Sequence, residues 1–276
     1  MGDVIACANQ KGGVGKTTTV VNLAAYLALE GRRVLVVDLD PQGNATSGLG
    51  IERSAAQSSI YPALTEGAHV LDLVRPTGID NLAIIASGRD LAGAEVELVA
   101  LPDRERRLRR ALEPAVAAFD HVFLDCPPAV GLLTVNALAA ADAVLVPIQC
   151  EYYALEGLSQ LLATIDLVRD HLNPELRLAG VLLTMYDART TLSADVVREV
   201  RGYLRGAVFT TVIPRSVRLA EAPSHGRPVV RYSPDSRGAQ AYRELAAEFS
   251  RRRPIGRAAG EAEVSIGIEP LATGKR

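Results

Sequence analysis

Tryptophan is absent from this 276-residue chain and aromatics make up only 4% of it. Its core must therefore be built mainly from Ala, Val, Leu and Ile. No apolar run approaches the ~18 residues of a membrane-spanning helix, and Met1-Gly2-Asp3 is not the basic start of a secretory signal. Cysteine occurs only at Cys7, Cys126 and Cys150, without a CxxC pair, so neither a disulfide framework nor a zinc ribbon is expected. Hydrophobic residues make up 48% and charged residues 22%, a balance that excludes overall disorder. Lysine is scarce beside arginine. Of 30 basic residues, only Lys11, Lys16 and Lys275 are lysine, against 27 arginines. Two lysines five positions apart near the start suggest a local need for an ammonium group.

What is present is an alternation of short apolar runs with segments of helical period. Val4–Ala8, Val34–Val37, Leu82–Ala86, Val122–Leu124, Ala143–Ile148, Leu178–Leu183 and Val208–Val212 read as strands apolar on both faces. Residues 17–30 read as a helix, as do Leu155–Val168 and Ser236–Phe249. The pattern predicts an α/β fold, a doubly wound and mostly parallel sheet flanked by helices, with ligands at the carboxyl ends of the strands. No internal repeat or long linker divides residues 1–253, which are expected to form one domain. Residues 254–276 lack a stable period and are expected to be a disordered tail.

The strongest signal is Lys11-Gly12-Gly13-Val14-Gly15-Lys16-Thr17-Thr18, placed between the first strand and the first helix. In that setting the glycines let successive backbone N–H groups turn around phosphate oxygens, and the helix start adds free donors. Lys16 is expected to reach the β- and γ-phosphates and the Thr17 hydroxyl to ligate magnesium. The common phosphate loop would carry its first glycine at position 10, where Gln10 stands, and it has no counterpart of Lys11.

Three carboxylates end strands nearby. Asp40 is the candidate for positioning or activating the attacking water. Asp38 is expected to hold the loop and the outer shell of the metal. Asp125, after His121-Val122-Phe123-Leu124 and before Cys126-Pro127-Pro128, fits a carboxylate that supports magnesium. Nothing suggests a nucleophilic Ser or Cys. His69, His121, His171 and His225 have no metal-ligand spacing and read as packing or surface residues.

The Lys-Gly-Gly-x-Gly-Lys-Thr form resembles the deviant phosphate loop of the ParA/MinD superfamily of ATPases. Asn9-Gln10-Lys11, residues 37–50, Asp125–Pro128, Thr184–Arg189, Ile213–Arg218 and Glu221–Gly226 are similar to the ParA/Soj chromosome-partitioning branch. The resemblance covers nearly all of residues 3–250. It implies ATP and Mg2+ as cofactors, and ATP-dependent sandwich homodimers in which Lys11 crosses to the partner's nucleotide. It also implies non-specific binding to double-stranded DNA, a ParB-type centromere-binding protein that stimulates hydrolysis, and a cytoplasmic, nucleoid-associated location. By family position, Met185 and Pro214 fall in the adenine pocket, and Arg189 and Arg218 on the DNA-binding surface. The short N-terminal segment favours the chromosomal type over plasmid relatives with an added DNA-binding domain.

Net charge is −2, which by itself predicts no polyanionic partner. Residues 189–237, however, hold nine arginines against Asp195, Glu199, Glu221 and Asp235, a local balance of +5 that leaves −7 elsewhere. Such one-sided charge is the footprint of a phosphate-backbone binder, with Arg198, Arg201 and Arg205 at helical spacing as its extension. The rival is a MinD-like positioning ATPase on a membrane, which needs a basic amphipathic helix at the C-terminus. The segment after Pro254 offers Ile255, Ile266, Ile268 and Leu271, but glycines interrupt it and no aromatic is present. Membrane binding is therefore not expected. A ligase built on the same loop would not explain the arginine-rich segment, and an iron–sulfur relative lacks the cysteines.

Overall fold

Strands with apolar residues at every position alternate their side chains between two faces, so each must be covered twice. That is how the chain is built. In β1 (Asp3–Cys7), Val4 and Ala6 point into one core while Ile5 and Cys7 point into the other. In β2 (Val34–Asp38), Leu35 and Val37 join the first core, Val34 and Val36 the second. The computed structural model describes residues 2–52, 59–152 and 154–253. The expected tail, 254–276, lies outside the described residues.

The remaining strands are β3 (Arg75–Pro76), β4 (Leu82–Ile85), β5 (His121–Asp125), β6 (Ala143–Gln149), β7 (Arg177–Tyr186) and β8 (Val208–Pro214). They form one sheet in the order β3-β4-β2-β5-β1-β6-β7-β8. All neighbours are parallel except β3 against β4. The seven expected strands are present within a few residues of their expected bounds. The two-residue edge strand β3 was not expected, because one polar residue and a proline carry no strand pattern; proline is tolerated there because the strand is an edge.

One face is covered by α3 (Tyr61–Thr65), α4 (Leu91–Val99), α5 (Arg107–Ala118), α6 (Leu132–Ala140), α7 (Ala154–His171) and α8 (Thr191–Leu204). The other face is covered by α1 (Lys16–Leu29), α2 (Asn44–Gly48), α9 (Val217–Glu221), α10 (Val229–Tyr232) and α11 (Arg237–Arg252). Side-chain caps start two of the longer helices. The Thr190 hydroxyl accepts from Ser193 N–H at 3.4 Å ahead of α8, and the Ser236 hydroxyl from Ala239 N–H at 3.3 Å ahead of α11. The last helix is tied to the first: the Tyr242 and Thr19 hydroxyls meet at 3.2 Å in the core, and Val229 N–H donates to Asn22 Oδ1 at 2.7 Å. These bonds hold α1, and the loop that opens it, against the distal end of the chain.

A candidate nucleotide site at the carboxyl ends of the central strands

Strand β1 lies between β5 and β6, and its carboxyl end releases the glycine loop over the centre of the sheet. Gly13 (φ 75°) and Gly15 (φ 91°) take left-handed conformations that a β-carbon disfavours, which bends the loop into a cradle before α1 begins at Lys16. The cradle is fixed from outside. Thr184 Oγ1 donates to Val14 O at 2.8 Å; Asn9 Nδ2 donates to Pro147 O at 2.7 Å while Asn9 Oδ1 accepts from Lys11 N–H at 3.0 Å. Neither Asn9 nor Thr184 was assigned a role from the sequence, although both stand in segments that carried the resemblance. Their work is to satisfy backbone groups, which no motif of reacting residues announces.

The two lysines lie differently. Lys16 is buried, and its ammonium donates across the loop to the Lys11 carbonyl at 3.1 Å. The Lys11 ammonium points outward and pairs with Glu151 at 2.8 Å, each side chain about half exposed (48% and 47%). One cation is thus inside the cradle and the other on its rim.

The three acids also separate by environment. Asp38 is fully buried and its oxygens are engaged: Oδ2 accepts from Thr46 N–H (2.8 Å) and the Thr46 hydroxyl (2.7 Å), and Oδ1 from Asp40 N–H (3.2 Å). Burial nevertheless pushes its carboxyl up to about 6, against the opposing pull of the Thr46 hydrogen bonds. Asp40 is buried at the site's margin, with Oδ1 accepting from Gln42 N–H at 2.9 Å and its carbonyl held by the Ser87 hydroxyl at 2.7 Å. Thr46 and Ser87, unnoticed in the sequence, complete this network through a Ser87 N–H to Thr46 Oγ1 bond of 2.9 Å.

Asp125 is the exception. It ends β5 fully buried, level in register with both Cys7 and Asp38, and neither carboxylate oxygen has a hydrogen-bond partner of normal geometry. Burial raises its carboxyl far above the ordinary carboxylate range; the Asp38 charge adds to this, and the Thr17 hydroxyl works against it. A buried carboxylate that makes no hydrogen bond of normal geometry carries a large penalty that a bound cation would remove. Among the described residues no cluster of three or more His, Cys, Asp or Glu side chains could hold a metal alone. One carboxylate and one hydroxyl beside a phosphate cradle is the donor set of a magnesium ion that takes its other ligands from substrate phosphates and water. The residues present fit Mg2+.

The remaining sequence candidates lie at the neighbouring strand ends. Met185, near the end of β7, adopts φ 52°, and Tyr186 is in register with Pro214 at the end of β8. Arg189 follows β7 and clasps Asp187 with its guanidinium (2.9 and 2.7 Å), at 84% side-chain exposure. Arg218 on α9 pairs with Glu221 at 2.8 Å. The cysteines stay inert. Burial pushes the Cys7 and Cys126 thiols well up and that of Cys150 to about 11.

A family model described as an AAA domain matches residues 2–178. Sporulation initiation inhibitor protein Soj of Bacillus subtilis is 58% identical over 250 residues, covering 91% of this chain and 99% of that protein. Chromosome partitioning protein ParA of Myxococcus xanthus is 54% identical, covering 91% and 89%. The chain belongs to the ParA/Soj family of chromosome-partitioning ATPases. Its activity is ATP hydrolysis, with ATP and magnesium as cofactors. Among solved structures, a protein named cobyrinic acid a,c-diamide synthase from Mycobacterium smegmatis, with bound ADP and magnesium, is 42% identical at a TM-score of 0.79, covering 90% of this chain and 93% of that one. The cell division ATPase MinD of Pyrococcus furiosus is 27% identical at 0.76, covering 91% and 99%. The expected doubly wound architecture of this ParA/Soj protein is thus observed in its own sheet order, and its likeness to these neighbours agrees with it.

Proposed function

We propose that this ParA/Soj ATPase works as a nucleotide-gated DNA binder: an ATP-bound sandwich dimer holds DNA without sequence preference, and hydrolysis releases it. The observation that carries this reading is the second lysine. A phosphate loop needs one ammonium inside the cradle, and Lys16 is there. Lys11 instead presents its ammonium at an accessible rim, where a second subunit could deliver its triphosphate. Several phosphate charges at a shared interface favour an added cation, so pairing would depend on the nucleotide.

The chain's residues divide the work. Loop N–H groups from Gly12 to Thr18 and the Lys16 ammonium hold the phosphates; Thr17 and Asp125 hold magnesium, with Asp38 bracing the loop behind them. Bound there, the metal neutralises charge on the transferring phosphoryl group. Asp40 orients the attacking water and can accept its proton. Met185 and Pro214 border the adenine. Phosphoryl transfer asks mainly for positioning and charge neutralisation, so these residues suffice for slow basal turnover. A ParB-type partner stimulates it, and the protein acts in the cytoplasm on the nucleoid. Among the described residues no helix is long and apolar enough to cross a membrane.

Two tests address separate parts of this reading. With a non-hydrolysable ATP analogue, light scattering should give a dimer mass for the wild type and a monomer mass for Lys11→Ala; a dimer in both removes the cross-subunit role. For the DNA surface, Arg189→Glu and Arg218→Glu should abolish gel retardation while leaving ATPase activity in the absence of DNA intact. Neutral replacements at either position should lower the log–log salt slope by roughly one unit per lost phosphate contact. An unchanged slope in both would move the DNA surface elsewhere.

A further inference from the structure

Lys11 has its backbone fixed and its side chain held by one residue. Its N–H donates to Asn9 and its carbonyl accepts from Lys16, so only the side chain is at liberty to change partners. That side chain meets Glu151 Oε2 at 2.8 Å. Glu151 is itself arranged for the contact: its other oxygen accepts from Gln149 Nε2, and its N–H donates to the Gln149 carbonyl at 2.8 Å. Gln149 closes β6, the strand beside β1, so sheet pairing brings together two loops 140 residues apart in sequence.

We propose that Glu151 is a positioning residue that parks the Lys11 ammonium within its own subunit and sets the concentration at which ATP dimers form. This rests on the reading of Lys11 as a cross-subunit cation. The same ammonium cannot bond Glu151 and a partner's phosphates at full strength together, so each subunit gives up its internal pair on dimerisation. A half-exposed pair is weak, worth ~1.5- to 5-fold in an equilibrium. Two are broken in a symmetric dimer, which multiplies the effect to ~2- to 25-fold. A triphosphate, with several negative charges, outbids a single carboxylate. The pair thus raises a threshold against weakly driven association without blocking the ATP state.

The test is sedimentation velocity on the full chain with a non-hydrolysable ATP analogue, across protein concentration, for wild type, Glu151→Gln, Lys11→Ala and the double variant. Glutamine keeps the volume and an acceptor for Gln149 but removes the charge. The expected result is a Glu151→Gln dimer midpoint ~2- to 25-fold lower than wild type. That gap should close near 1 M salt, where the screening length is about 3 Å, which a purely structural role would not produce, and the double variant should be monomeric like Lys11→Ala. If Lys11→Ala is monomeric while Glu151→Gln leaves the midpoint unchanged or raises it, the parking role is overturned and the Lys11 reading stands. If Lys11→Ala dimerises like wild type, the Lys11 reading falls, and the parking role with it.

Discussion

Replacing Asp40 by alanine is expected to lower phosphate release by ~10²- to 10⁴-fold, the range for loss of a positioned acid–base group, while dimers accumulate on DNA. The two effects belong together. Asp40 adds nothing to the phosphate cradle itself, which is made of loop N–H groups and Lys16, so nucleotide binding and dimerisation should survive. What is lost is a carboxylate whose direction is set by Gln42 N–H at 2.9 Å and whose backbone is held by Ser87 and by Gly43 N–H at 2.8 Å. On the proposed preference of DNA for the ATP dimer, blocking exit from that state raises apparent DNA affinity by linkage. Pre-steady-state phosphate release, read beside DNA retention, checks it. Normal turnover would transfer the water-positioning role to another residue; slow turnover with lost dimers would make Asp40 part of the interface instead.

Replacing Asp125 by asparagine should have opposite effects on stability and on function. The carboxylate is buried without a hydrogen-bond partner, and its carboxyl is held far above the ordinary range. An acid whose pKa is raised by folding binds its proton more tightly in the native state, so the metal-free protein loses stability as pH rises from the unfolded carboxylate range through the raised value. Asp38, displaced to about 6, acts in the same direction between its ordinary value near 3.8 and that point. Asparagine has no charge to bury. The nucleotide-free Asp125→Asn protein should therefore melt higher than wild type, by a few degrees at pH 7 and by less as the pH falls toward the ordinary carboxylate value. In the same variant, the tightening of nucleotide binding by magnesium should fall ~10- to 100-fold, on the scale of losing a group that supports a metal. Calorimetric melting across pH, with and without Mg-ATP, separates the effects. A lower melting temperature at every pH would mean that the Thr17 hydroxyl's hold on the carboxylate outweighs the cost of its burial.

The parts of this molecule legible in sequence are those that a repeated pattern or a reacting group dictates. Strands apolar at every position can only be buried on both sides, so Val34–Asp38 and Ala143–Gln149 were expected close to where they lie. The glycine loop announced itself because few other tasks need Gly13 and Gly15 left-handed beside two lysines. What was illegible is the support. Thr46, Ser87, Asn9 and Thr184 use ordinary side chains to satisfy backbone groups brought close by the fold, and each has at least one partner tens to more than a hundred residues away. Glu151 is the sharpest example, since its pairing with Lys11 exists only because β6 lies beside β1. Asp38 shows a further limit. Spacing predicts that it holds the loop and the metal's outer shell, but not that both of its oxygens hold the Thr46 turn and the Asp40 backbone.

ATP-gated DNA binding is tested most directly by fluorescence anisotropy of a random-sequence duplex, measured with a non-hydrolysable ATP analogue and with ADP, beside cosedimentation with anionic vesicles. The expected result is duplex binding with the triphosphate only, falling steeply with salt, and no association with vesicles. Equal duplex binding with ADP, or triphosphate-dependent binding to vesicles in place of DNA, would contradict it.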